Sequence, residues 1–310
     1  AKFVERHNGS AVRKLTVFGV EQKDDTVPLA KMNLALHGLS GDIRQANSYY
    51  EDPHAAISAF DFVMANPPFN VDKIKKEQLA GDSRFPFGMP KADNGNYLWI
   101  QQFYAALSPK GRAGFVMANS AGDAGHSEKR IRQQLIESGA VDVMVAISPN
   151  FFYAVTLPVT LWFLDKGTIG TPREDTVLFI DARHLYNQID RAHRDFSTEQ
   201  SEFLANIVRL YRGEGVETVG GSEELLKRNF PDGEYVDVAG LCRVATRAEI
   251  SAQDWSLNPG RYTGSAAADE DNDDFAVRLE TLYEEFTRLS DEASVLRRKV
   301  DSAVTGVLDA

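Results

Sequence analysis

The chain contains one cysteine, Cys242, in 310 residues. A single thiol excludes an internal disulfide framework, and a reducing, cytoplasmic setting is the expectation. No apolar run reaches the roughly 18 residues of a membrane span. The opening Ala1-Lys2-Phe3-Val4-Glu5-Arg6 lacks the basic-then-apolar pattern of a secretion signal. Positive charge is scarce as well: 34 Lys and Arg stand against 45 Asp and Glu, for a net charge of −11. Non-specific grip on nucleic acid comes from neutralising phosphates with Lys and Arg. So acidic a chain is therefore not expected to hold DNA tightly by itself, although it can act on DNA held by a partner. Six histidines and one cysteine show no metal-ligand spacing. No Gly-x-Ser-x-Gly elbow is present, so Ser120, Asp123 and His126 do not read as a hydrolase triad. No Gly-x-Gly run follows a strand, and Gly213-Glu214-Gly215 follows a helix.

What is present is the composition of a globular protein, long enough for a full core. Strand-like and helix-like runs alternate through the first half. Leu15–Val20, Phe60–Ala65, Ala113–Ala118, Val141–Ile147 and Pro158–Leu164 read as strands. Pro28–His37, Asn96–Leu107 and Glu128–Ser138 read as helices, the last stopped by Gly139. Ser108-Pro109-Lys110-Gly111 reads as a turn. This alternation predicts an α/β fold, a mainly parallel sheet with helices on both faces. Thr176–Ile180 adds a strand. Ser197-Thr198-Glu199-Gln200 is a capping box opening a helix that runs to Tyr211.

The sharpest chemical signal is Asn66-Pro67-Pro68-Phe69, directly after the strand Phe60–Ala65. That position is the carboxyl edge of a parallel sheet, where open α/β sheets bind ligands. Two prolines fix φ and remove two N–H donors, leaving a rigid segment that offers only acceptors. These are the Asn66 side-chain oxygen and backbone carbonyls. An exocyclic amine such as adenine N6 has its lone pair delocalised into the ring. Two acceptors gripping its N–H bonds pull the nitrogen toward tetrahedral geometry and free the lone pair for attack on a sulfonium methyl. Phe69 can stack on an extruded base. Upstream, Glu21 ends a strand where an acid commonly binds ribose hydroxyls. Asp42, at the expected end of the next strand, can accept from the adenine amine of a cofactor. Lys73, Lys75, Lys76, Arg130 and Arg132 are candidates for phosphate contacts or for a solvated basic face. Trp99 and Trp162 read as core.

Phe18–Glu21, Leu29–Gly38 and Phe60–Phe69 together resemble the modification subunit of type I restriction–modification systems. So do Ile131–Leu135, Pro149–Phe152 and Trp255-Ser256-Leu257-Asn258-Pro259-Gly260-Arg261-Tyr262. The resemblance implies a Rossmann-like, S-adenosylmethionine-dependent methyltransferase sheet acting on adenine N6 in double-stranded DNA. It implies Asn66, Pro67, Pro68 and Phe69 as the catalytic motif, and Glu21, Asp42 and Asn66 as cofactor contacts. It also implies assembly with a specificity subunit and, for cutting, with a restriction/translocase subunit. The family carries an Asp-Pro-x-x-Gly-Ser-Gly-Gly-like cofactor loop just ahead of the equivalent of Ala1. The expectation is thus an N-terminally truncated methyltransferase, missing its first strand and glycine loop. Two alternatives stay open: the same motif acting on RNA or a protein amide, and a non-catalytic assembly module.

The expected organisation is a partial catalytic core over 1–166, an extension of it over 167–263, an acidic linker over 264–274 and a long helix over 275–310. In that last segment Phe275, Leu279, Leu282, Phe286, Leu289, Ala293, Leu296 and Val300 step alternately by four and three, a heptad seam. Such a helix spans about 50 Å. It either folds back on its own domain or forms a coiled coil with another chain, the specificity subunit on the family reading.

Overall fold

The computed structural model describes residues 15–91, 93–152, 157–190 and 193–264, with Arg297 and Val300. The acidic linker and the heptad helix predicted over 264–310 lie outside the described residues, apart from Gly264, Arg297 and Val300. Residues 1–264 form one compact unit and 265–310 a second.

Strands β1 (Val17–Glu21) and β2 (Gly41–Gln45) pair in parallel, joined by helix α1 (Thr26–Leu36). Pro28 sits in the first turn of α1, where its missing N–H costs nothing. Gly38, at φ +65°, ends the helix and donates its N–H to the Ala35 carbonyl. A six-stranded sheet begins with β3 (Phe60–Ala65) and passes through helix α2 (Asn96–Ala106) to β4 (Leu107–Ala118). Helix α3 (His126–Glu137) leads to β5 (Val141–Ile147), β6 (Val159–Asp165) and β7 (Thr176–Asp181). A small hairpin, β8 (Asn187–Gln188) with β9 (Arg194–Asp195), stands apart. Helices α4 (Thr198–Tyr211) and α5 (Glu223–Asn229) precede β10 (Cys242–Thr246) and α6 (Arg247–Ala252). The predicted capping box at Ser197 and Gln200 is formed.

Spatially the strands run β10-β7-β5-β6-β4-β3. Only β3/β4 and β5/β7 are parallel; the other three pairings are antiparallel. The expectation of a mainly parallel sheet is therefore corrected to a mixed one. Residues 148–158 are too few for a crossover helix, so β6 turns back as a hairpin partner of β5 and slots in beside β4. The predicted turn at Ser108–Gly111 is likewise drawn into the first part of β4.

Strand β5 is buried at all seven positions and divides two cores. Met144 faces Phe115, Trp162, Ile131 and Leu135, the side covered by α2 and α3. Val143 and Val145 face Phe203, Ile207 and Leu226, the side covered by α4 and α5. The two-residue period of a strand is what lets one segment serve both. Beneath the second layer, Asp142, fully buried, pairs with Arg173 at 2.9 Å and Arg212 at 2.5 Å, so the buried carboxylate is matched by charge and hydrogen bonds.

Candidate active site

Asn66 leaves β3 exposed at the strand's carboxyl end, followed by buried Pro67, exposed Pro68 and half-buried Phe69. The turn is then clamped. Asn70, at φ +55°, donates its N–H to Asn96 Oδ1 at 2.9 Å. Its own Oδ1 accepts from Asn94 Nδ2 and Asn96 Nδ2, each at 2.9 Å. Three asparagine side chains thus tie the loop after β3 to the start of α2, which supplies the rigidity that positioning needs. Gly95 makes this approach possible, since a Cβ there would lie 2.5 Å from the Tyr49 hydroxyl.

The loop after β2 meets the loop after β3. Lys75 N donates to the Tyr50 hydroxyl at 3.0 Å, and Arg84 bonds the carbonyls of Ser48, Tyr49 and Glu51. Glu21 closes β1 opposite Gln45, half-buried, with Oε1 accepting from Lys23 N at 2.8 Å. Asp42 is placed differently from the expectation. It is the second residue of β2, opposite Phe18, three residues behind the level of Glu21 and roughly 10 Å along the strand. There it accepts from Arg44 Nε at 2.9 Å, and that hydrogen bond, with the Arg44 charge, holds its carboxyl below the usual range. Glu21 ends β1 and Asn66 follows β3, each at the carboxyl end of its own strand, whereas Asp42 lies near the start of β2. Asn47, two residues past the end of β2, is half-buried, with Oδ1 accepting from Tyr49 N at 3.0 Å. The signal for it was Gly41, which starts the strand rather than ending it.

A polar cavity of about 210 Å³ adjoins the clamped turn, walled by Asn94, Asn96, Tyr97, Ser120 and Glu128. Its far wall is the loop after β4. That loop is braced by the distant segment 255–262: Asp123 accepts from Ser256 Oγ at 2.5 Å and from Asn258 Nδ2 at 3.1 Å, and forms an ion pair with Arg261 at 3.2 Å. Leu257 N donates to the Gly122 carbonyl at 2.9 Å, and Tyr262 stacks on Phe179 at 3.9 Å. Asp123 is thus a structural acceptor. Arg132, a candidate phosphate contact on sequence grounds, is only 2% exposed. It donates to the carbonyls of Trp255 and Ala124, both at 2.6 Å, and to the Tyr97 hydroxyl at 3.1 Å. It pins strap, loop and helix together and is unavailable to DNA. Trp162 is fully buried, as expected of core. Among the described residues no group of three His, Cys, Asp or Glu is placed to hold a metal, and no helix is long and apolar enough to cross a membrane.

A mixed α/β sheet with an Asn-Pro-Pro-Phe turn at the carboxyl end of a strand, and a carboxylate closing a strand of a second, two-stranded parallel sheet, is the arrangement of an amino-group methyltransferase. The sequence matches the N-6 DNA Methylase family over residues 1–271, and the chain belongs to that family. It is 35% identical to the type I restriction enzyme MjaIX methylase subunit of Methanocaldococcus jannaschii, over 97% of this chain and 51% of that protein. It is 32% identical to the HindI methylase subunit of Haemophilus influenzae, over 91% of this chain and 59% of the relative. The chain thus spans about half the length of the relatives it matches. In fold it is similar to the type I methyltransferase subunit from Streptococcus thermophilus, with a TM-score of 0.69 at 24% identity, covering 84% of this chain and 51% of that one.

Proposed function

We propose that this protein transfers a methyl group from S-adenosylmethionine to N6 of adenine in double-stranded DNA, as the modification subunit of a type I restriction–modification complex. The observation that carries this reading is the Asn66-Pro67-Pro68-Phe69 turn, held rigid by Asn70, Asn94 and Asn96 at the carboxyl end of β3. Asn66 Oδ1 and the adjacent backbone carbonyl accept the two N6 hydrogens and turn the nitrogen lone pair out of the ring. Phe69 stacks on the base once it has left the duplex. Glu21 fits the ribose hydroxyls of the cofactor, and Asn47, two residues past the end of β2, takes the role that sequence had given to Asp42. Bound there, S-adenosylmethionine supplies an electrophilic sulfonium methyl. The net charge of −11 fits a division of labour in which a specificity subunit carries most of the DNA grip. Residues 275–310 are the segment we assign to that partner, and a restriction/translocase subunit joins for cleavage.

The test is methyl transfer from radiolabelled S-adenosylmethionine by the full-length subunit with its specificity partner, offered duplex DNA, RNA and a glutamine-containing peptide. Label should enter DNA adenine, and Asn66→Ala should lower kcat by about 100-fold or more, the scale of a lost transition-state hydrogen bond. Label in RNA or peptide, or an undiminished Asn66→Ala, would refute the assignment.

A further inference from the structure

The cavity beside the clamped turn holds more hydrogen-bonding capacity than the fold uses. Asn94 Nδ2 and Asn96 Nδ2 each give one hydrogen to Asn70, and each keeps a second. The Tyr97 hydroxyl is committed to the Ala121 carbonyl at 2.6 Å. Glu128, in the first turn of α3, is only 9% exposed and lines the cavity. Among the described residues its carboxyl makes no hydrogen bond or ion pair, and it opens onto the cavity, where a ligand can reach it. A purine is such a ligand. Adenine offers ring nitrogens that only accept, and its sole donor group is the amine that the Asn66 loop takes.

We infer that the cavity receives the ring edge of the extruded adenine, and that Glu128 reads it by hydrogen-bonding a ring nitrogen. This rests on the methyl transfer proposed above. Burial pushes the Glu128 carboxyl above the usual carboxylate range, against the opposing charges of Lys76 and Arg132. The acid form, with an O–H to donate, therefore persists to higher pH. The ionisable groups facing Glu128 are Lys76 from the turn Lys76–Leu79, Arg132 on its own helix and the Tyr97 phenol on α2. A base carrying a ring N–H at the same place, such as guanine, would meet a donor where it needs an acceptor.

The experiment uses the full-length subunit with its specificity partner and DNA carrying 2-aminopurine at the target adenine. Fluorescence reports base entry, and kcat/KM is measured on unmodified DNA. Glu128→Ala should lower kcat/KM about 10- to 100-fold, as expected for a lost hydrogen bond to a buried partner. It should also weaken the fluorescence rise and leave S-adenosylmethionine affinity unchanged. Glu128→Gln keeps an N–H donor, so it should retain most activity and lose the alkaline decline that the wild type shows as its carboxyl ionises. Wild-type kcat/KM in Glu128→Ala would overturn the inference and leave the function standing. So would equal losses in both variants accompanied by equal drops in melting temperature, which mark a packing role. A wild type that methylates no adenine would instead overturn the underlying function, and the inference with it.

Discussion

Replacing Arg132 by alanine separates two roles that one residue cannot both fill. If Arg132 touched phosphate, the variant would bind DNA less tightly with a shallower salt dependence, and its stability would be unchanged. The structure assigns it to the interior instead. Its guanidinium supplies hydrogen bonds at 2.6, 2.6 and 3.1 Å to groups on three separate segments. Removing it strands the Trp255 and Ala124 carbonyls, each at about 1–3 kcal/mol, and leaves a cavity where the side chain lay. The Tyr97 hydroxyl loses less, because it still donates to Ala121. The sum is about 3–5 kcal/mol, or roughly 10 °C in Tm for a unit of this size. Thermal unfolding of wild type and Arg132→Ala, followed by tyrosine and tryptophan fluorescence, reads the loss. Hydrogen exchange over residues 119–125 should speed up in the variant. A drop below about 1 kcal/mol together with a changed salt slope for DNA binding would refute the interior role.

Three other outcomes follow from placement and burial. Glu21→Ala should weaken S-adenosylmethionine binding roughly 10- to 100-fold by calorimetry, whereas Asp42→Asn, set back along β2 beside Arg44, should leave it within about threefold of wild type; equal losses would return Asp42 to the site. The Cys242 thiol, 1% exposed, is pushed up to about 11 by burial, so iodoacetamide at pH 8 should label it only after unfolding. The unfolded thiol ionises near 8.5, so this group's share of stability is complete below that pH and is lost as pH rises toward 11; urea midpoints across that window should fall, and fall less in Cys242→Ala.

Much of this was legible in the residues. Phe60–Ala65 and Val141–Ile147 carry unbroken strand signals, and the structure gives them the same bounds. The Ser197 capping box announces α4. The placing of Asp42 failed because Gly38-Leu39-Ser40-Gly41 looks like the close of a strand. In fact Gly38 caps a helix and Gly41 opens the strand, which moves the strand's end to Gln45. Arg132 was readable in principle: Ile131, Arg132, Leu135 and Ile136 share one helical face, and all four are buried. Charge drew attention away from that period. The antiparallel return of β6 was implicit in the length of residues 148–158. The brace on Asp123 was not, because no local pattern marks a partner 133 residues away.

That separation has a consequence for biosynthesis. A chain emerging from the ribosome completes β3 and the Asn66 turn early, yet the loop that walls the adjoining cavity receives its brace only when residues 255–262 have been made. Until then Asp123 and Gly122 lack their strap partners, and Arg132 holds only Ala124 and Tyr97. Chains interrupted before that point would carry the whole Asn-Pro-Pro-Phe motif with an unfinished cavity beside it. The late strap thus acts as a completeness check, coupling a finished site to synthesis of the entire unit.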